Sequence, residues 1–119
     1  MKYENFTKRS KSEIVSLLSS KDDNQIIEGL ISIIDLNENW KWKQDQILRF
    51  IHHHNFWIAK NAITGLGDLA RIHGTLEKLK VTNELTLINN PELKGIIDAT
   101  VDDFNIFLSK GVPPQKPTD

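Results

Sequence analysis

Three consecutive histidines, His52-His53-His54, are the first residues of this chain whose type suggests chemistry, either metal ligation or proton transfer. Successive positions on a helix point about 100° apart, so three in a row cannot converge on one ion. A ligand pair needs a spacing of three or four, and no Asp or Glu stands at that spacing from the run in its helix. The histidines are therefore expected as helix-end groups, where the helix dipole favours them. His73 is expected to be half-buried and bonded to a backbone carbonyl. Serines are plentiful (Ser10, Ser12, Ser16, Ser19, Ser20, Ser32, Ser109), but none sits on a strand-to-helix elbow or beside a partnered histidine. Gly65 and Gly67 fall inside a helical run instead of opening one, so they form no phosphate cradle. Asp98, Asp102 and Asp103 offer paired carboxylates for acid/base work, yet their spacing suits a solvated helix face equally. The expectation is a protein without catalytic residues, cofactor or metal.

A basic block, Lys41, Lys43, Arg49, Lys60, Arg71, Lys78 and Lys80, is interleaved with Trp40 and Trp42 and raises nucleic-acid binding as a further class. The whole-chain balance opposes it: 15 basic against 16 acidic side chains and an isoelectric point near 6.4. Acids along two of the helices would repel much of a phosphate backbone. Divided along the chain, the net charge of −1 is a sum of alternating blocks, +3 over residues 1–21, −5 over 22–40, +4 over 41–81 and −3 over 82–119.

The elements that must position these residues are helical, because apolar residues recur at three and four and not at two. Six helices are predicted. The first, about Ser10 to Ser20, carries a capping box of Ser10 and Glu13 and buries Ile14, Leu17 and Leu18. The second, about Asp23 to Leu36, buries Ile26, Ile27, Leu30, Ile31, Ile33 and Ile34. The third, about Trp40 to His53, turns Ile47, Leu48 and Ile51 inward. The fourth runs from Phe56 along Ile58, Ala62, Leu66, Leu69 and His73, widened by Ile63 and Ala70, to a C-cap at Gly74. The fifth spans about Leu76 to Ile88, and the sixth, about Glu92 to Leu108, buries Leu93, Ile96, Ile97, Val101, Phe104 and Leu108. Trp40 is placed in the core and Trp42 at the surface, while Trp57 fits core packing and partner contact alike.

With 119 residues and 39% hydrophobic content, the chain is sized for one domain, expected over residues 1–110. The Pro-rich tail 111–119 is expected to be extended and mobile. The absence of cysteine removes disulfides and thiolate sites and suits the cytoplasm. The first ten residues lack an apolar h-region, and no stretch reaches the roughly 18 apolar residues needed to span a bilayer, so a soluble, unexported protein is expected.

Short polar turns lead into apolar anchors at Ile26, Ile58 and Leu93, 32 and 35 residues apart. Each anchor follows the end of another helix, which implies three stacked antiparallel helix hairpins, an all-α solenoid. The segment Asn55-Phe-Trp-Ile-Ala-Lys-Asn-Ala-Ile-Thr-Gly-Leu-Gly-Asp-Leu-Ala-Arg-Ile-His-Gly74 resembles the second helix of a HEAT-type repeat. Its Gly65–Gly74 portion, with the Leu93–Leu108 segment, is similar to the HEAT-like immunity proteins of bacterial polymorphic toxin and contact-dependent growth inhibition systems. The resemblance covers roughly residues 12 to 109. It implies a cytoplasmic protein, monomeric when free, that binds and neutralises a cognate toxin domain, often a nuclease. A HEAT-like scaffold or regulatory module without a toxin partner is the alternative.

In a helix-hairpin solenoid the second helices line the concave side. Their non-core positions are Gln25, Glu28, Ser32 and Asp35, then Trp57, Asn61, Thr64 and Asp68, then Asp98, Asp102 and Asn105. The expected partner-binding residues are Glu28, Asp35, Trp42, Trp57, Asn61, Asp68, Asp98 and Asp102. Acidic stripes steer a basic partner, and tryptophan is a frequent anchor at interfaces.

Overall fold

A computed structural model describes residues 9–108 of the chain; residues 1–8 and 109–119, including the proline-rich tail, lie outside the described residues. Among the described residues six α-helices follow one another: α1 (Lys11–Leu18), α2 (Asp23–Ser32), α3 (Trp40–Leu48), α4 (Phe56–His73), α5 (Lys78–Thr86) and α6 (Lys94–Asp103). The protein is all-α, with no strand among the described residues. A 3-10 turn, Ile33–Asp35, ends α2, another, Pro91–Leu93, leads into α6, and a π-helical turn, Phe104–Leu108, continues α6.

Short polar side chains start most of these helices by accepting the first free N–H groups. Ser10 Oγ accepts from Glu13 N at 3.1 Å while the Glu13 carboxylate accepts from Ser10 N at 2.7 Å, completing the capping box. Those bonds to Ser10 hold the Glu13 carboxyl below the usual carboxylate range. Asn55 accepts from Trp57 N and Ile58 N at 2.8 and 3.3 Å to open α4. Gly74 closes α4 with φ of 68°, a left-handed conformation open to glycine at little cost.

Helix α4 is the spine. It packs against α2, α3 and α6, while α1 lies on α2. Asn55 donates to Asp23 at 2.8 Å and Gly65 faces Ile34, so α2 and α4 run in the same direction. Thr100 donates to Ile63 O at 3.3 Å and Gly67 faces Asp103, so α6 runs parallel to α4 on its other side. The small residues of α4 allow this closeness. A Cβ on Gly67 would meet the Asp103 carboxylate at 2.8 Å. The core gathers Ile14, Leu30, Ile33, Ile47, Ile51, Ile58, Ile63, Leu66, Leu69, Leu85 and Phe104.

Several expected positions change. Ile31, expected inside, is 58% exposed, because on α2 it points about 100° from Leu30, away from the side that Ile26, Leu30 and Ile33 turn to the core. Leu17, Ile27, Ile34, Leu48, Ile96, Ile97 and Val101 are only partly covered, and Thr100, not an aliphatic residue, is buried at the centre of α6. Helix α3 stops at Leu48, so the three histidines sit in the turn beyond it and not in its last turn. Helix α5 is tied to α3 by polar side chains, and a hollow of about 410 Å³ separates it from α6.

Candidate protein-binding face

Among the described residues the parallel row α2–α4–α6 leaves one face uncovered, and two hollows lie along it. One, of about 230 Å³, runs between α2 and α4 and is lined by Leu30, Ile31, Ile34, Asp35, Asn61 and Asp68, among others. The other, of about 280 Å³, runs between α4 and α6 over Asp68, Arg71, Ile96, Ala99 and Asp103. Thr64 and Asp68 border both, so the hollows adjoin across the exposed side of α4. The row is parallel, and Asp35 and Asp103 therefore stand at the C-terminal ends of their helices, on the same side as the C-terminal half of α4 that holds Asp68.

Asp68 shows the field of this face most directly. Burial pushes its carboxyl up from the ordinary value, Arg71 opposes the rise, and Asp103 and Asp35 reinforce it. Arg71 reaches it at 2.6 Å, an i,i+3 pair. At the other end of the same stripe Trp57 is 57% exposed, with Phe56 edge-on to its ring and the Lys60 ammonium 5.0 Å above it. Asn61 bonds to Trp57 O at 2.8 Å and continues the line toward Thr64 and Asp68.

Of the residues expected to bind a partner, Asp35, Trp57, Asn61 and Asp68 share this face. Glu28 is on the next stretch of α2, ion-paired with Arg9 and lining a hollow with Ile27 and Ile31. Asp98 is elsewhere: it pairs with Lys94 at 3.0 Å and borders the hollow between α5 and α6. Asp102 is exposed, but it is Asp103 that turns toward α4. Both displacements follow from the burial of Thr100, which rotates α6 so that Ala99 and Asp103 flank α4. Trp42, expected at the surface, is half-buried against the core with the Lys11 ammonium 4.6 Å above its ring. The exposed tryptophan is Trp57. Sequence reasoning left Ile31, Arg71 and Asp103 out of this face; the small residue Gly67, which invites a close neighbour, was the one signal for α6 in this register.

Two polar clusters hold the rest of the frame. Lys43, assigned to the basic surface block, is 2% exposed and donates from Nζ to Ile34 O at 2.9 Å, with His73 Nε2 at 3.4 Å. Burial lowers the Lys43 ammonium from its ordinary value against the pull of Asp35 and Glu38. Burial and then the Lys43 charge likewise lower His73, whose Nε2 faces an ammonium where a backbone carbonyl was expected. Fully buried Gln44 accepts from Glu77 N at 2.8 Å and donates to the Glu77 carboxylate at 2.7 Å, fixing the start of α5. Lys41 bonds to Asp45 at 2.9 Å and Glu77 at 3.2 Å around the same point. Those bonds, with Gln44 foremost at Glu77, hold both the Glu77 and the Asp45 carboxyls low, although burial of Asp45 works the other way.

The histidine run is divided among separate contacts. His52 reaches Glu84 at 3.2 Å, His53 accepts from Asn55 N at 2.9 Å, and His53 stacks on His54. No group of three or more potential metal ligands converges among the described residues. No helix there is long and apolar enough to cross a membrane. Comparison with protein-family models, curated proteins and solved structures returned no match.

Proposed function

We propose that this chain is an immunity protein, which binds a cognate bacterial toxin domain, a basic nuclease, and neutralises it by covering its active or substrate-binding site. It would act in the cytoplasm of the producing cell. The observation supporting this reading is the uncovered α2–α4–α6 face, where Asp35, Asp68 and Asp103 border adjoining hollows and Trp57 stands exposed on the same stripe of α4. A surface that joins apolar hollows to acidic edges suits recognition of another protein by burial and charge together. Inhibition by occlusion requires only shape and charge, and no reacting group on the inhibitor.

The test is to co-express the chain with the toxin domain encoded by the adjacent gene. A stable complex that loses its nuclease activity in proportion to the immunity chain added is the expected result. Absence of a complex would remove the reading, and a complex with full nuclease activity would point to a scaffold instead.

A further inference from the structure

Along this row, among the described residues, apolar hollows, an exposed apolar side chain and unbalanced charge coincide. Leu30, Ile34 and Gly65 form the base of the α2–α4 hollow, with exposed Ile31 at its edge. Ile96, Ala99 and Gly95 line the α4–α6 hollow. An occupant must therefore bring apolar groups. It must also answer the surplus of three carboxylates, Asp35, Asp68 and Asp103, over the one cation, Arg71, that borders the hollows among the described residues. Lys43 does not supply the missing charge at the surface, since it is buried behind Asp35 and bonded to Ile34 O. Arg71 is already committed to Asp68 at 2.6 Å.

Resting on the reading above, we propose that this face receives a basic, apolar-flanked segment of the partner protein, with one arginine seated in the α4–α6 hollow between Asp68 and Asp103 and an apolar neighbour against Ile31 and Ile34. Arginine fits better than lysine, because its planar fork can bond two carboxylates at once and it is more weakly hydrated than an ammonium. Asp103 already borders this hollow, with its carboxylate end turned toward Gly67 of α4.

Two measurements test this separately from the reading it rests on. In the first, ethylguanidinium, standing for the arginine side chain, is titrated into the ¹⁵N-labelled chain. Saturable shifts confined to residues 64–71 and 95–103 are expected, weakened at least tenfold in the folded double variant Asp68→Asn/Asp103→Asn and unchanged in Glu92→Gln. Shifts spread over all acidic surfaces, or equal in the double variant, would overturn the arginine seat. In the second, the adjacent gene's toxin domain is bound to wild type and double variant. A loss of at least tenfold in affinity supports the seat. Equal affinity overturns it while the immunity reading stands. If the toxin domain does not bind at all but the ethylguanidinium shifts localise as expected, the immunity reading fails and the basic-segment face survives.

Discussion

Replacing Lys43 separates the two things this side chain does, which are to fill space and to bury a charge. In Lys43→Met most of the stem stays and the ammonium goes. The variant no longer pays the desolvation of a buried cation, worth several kcal/mol. It also leaves Ile34 O without its donor, at about 1–3 kcal/mol. The two nearly cancel, so Lys43→Met is expected within about 1 kcal/mol of wild type or above it. Lys43→Ala removes the stem as well, from a site only 2% exposed, and should fall about 2–4 kcal/mol below Lys43→Met. The assay is urea unfolding followed by tryptophan fluorescence, since Trp40 and Trp42 pack against the core and report its loss. The same assay at two pH values examines His73. Its folded-state value is held below the ordinary 6.5 by burial and by Lys43, so the unfolded chain takes up the proton first as the solution is acidified. The stability it contributes is therefore complete above about 6.5 and falls below it, by at most about 1.4 kcal/mol per pH unit. His73→Gln keeps an acceptor for Lys43 and removes the titration, so wild type should lose more stability than His73→Gln between pH 7 and 5.5. In Lys43→Met, which lifts the neighbouring charge, the loss should be smaller than in wild type. Parallel wild-type and His73→Gln profiles, or a Lys43→Ala cost within about 0.5 kcal/mol of that for an exposed lysine such as Lys80, would refute the buried brace.

Three further substitutions probe the packing that positions the face. Gln44→Ala withdraws both bonds to Glu77 from a fully buried site and should cost about 2 kcal/mol, with amide exchange accelerating first at residues 78–81 of α5. Gly29→Ala and Gly67→Ala should differ in sign: a Cβ at Gly29 meets Leu18 Cδ2 at 2.9 Å and Leu17 Cβ at 3.1 Å, and overpacking there costs about 1–3 kcal/mol. At Gly67 the one close approach, 2.8 Å, is to the terminal carboxylate oxygen of Asp103, which can rotate away, with Thr100 Cγ2 at an ordinary 3.7 Å, so the gain in helix propensity, about 1 kcal/mol, should leave thermal stability equal or raised. Differential scanning calorimetry of the pair decides the point.

What the sequence determined by itself was local. The Ser10–Glu13 box, the Asn55 start and the Gly74 stop of α4 each depend on residues within four positions of one another, and the three-and-four recurrence of apolar residues placed all six helices. The Asp35, Trp57, Asn61 and Asp68 positions followed from that same periodicity, because a stripe on one helix is a local property. Which stripe meets which neighbour is not. Asp103 displaced Asp98 and Asp102 from the face because Thr100 bonds to Ile63 O and turns α6, a contact 37 residues apart in the chain. Lys43 looked like one more basic surface residue, and only the convergence of the α2 end, α3 and the α4 end around it makes its ammonium a buried donor. Trp42 lost its expected exposure, and Trp57, left open between core and surface, took it, for a like reason: α3 packs on α4 with Trp42 against the core, while nothing among the described residues covers the start of the α4 stripe beyond Phe56 and Lys60. Helix formation is governed by bonds over one turn, whereas burial is settled by the close packing of side chains from distant segments, which only the tertiary structure brings together.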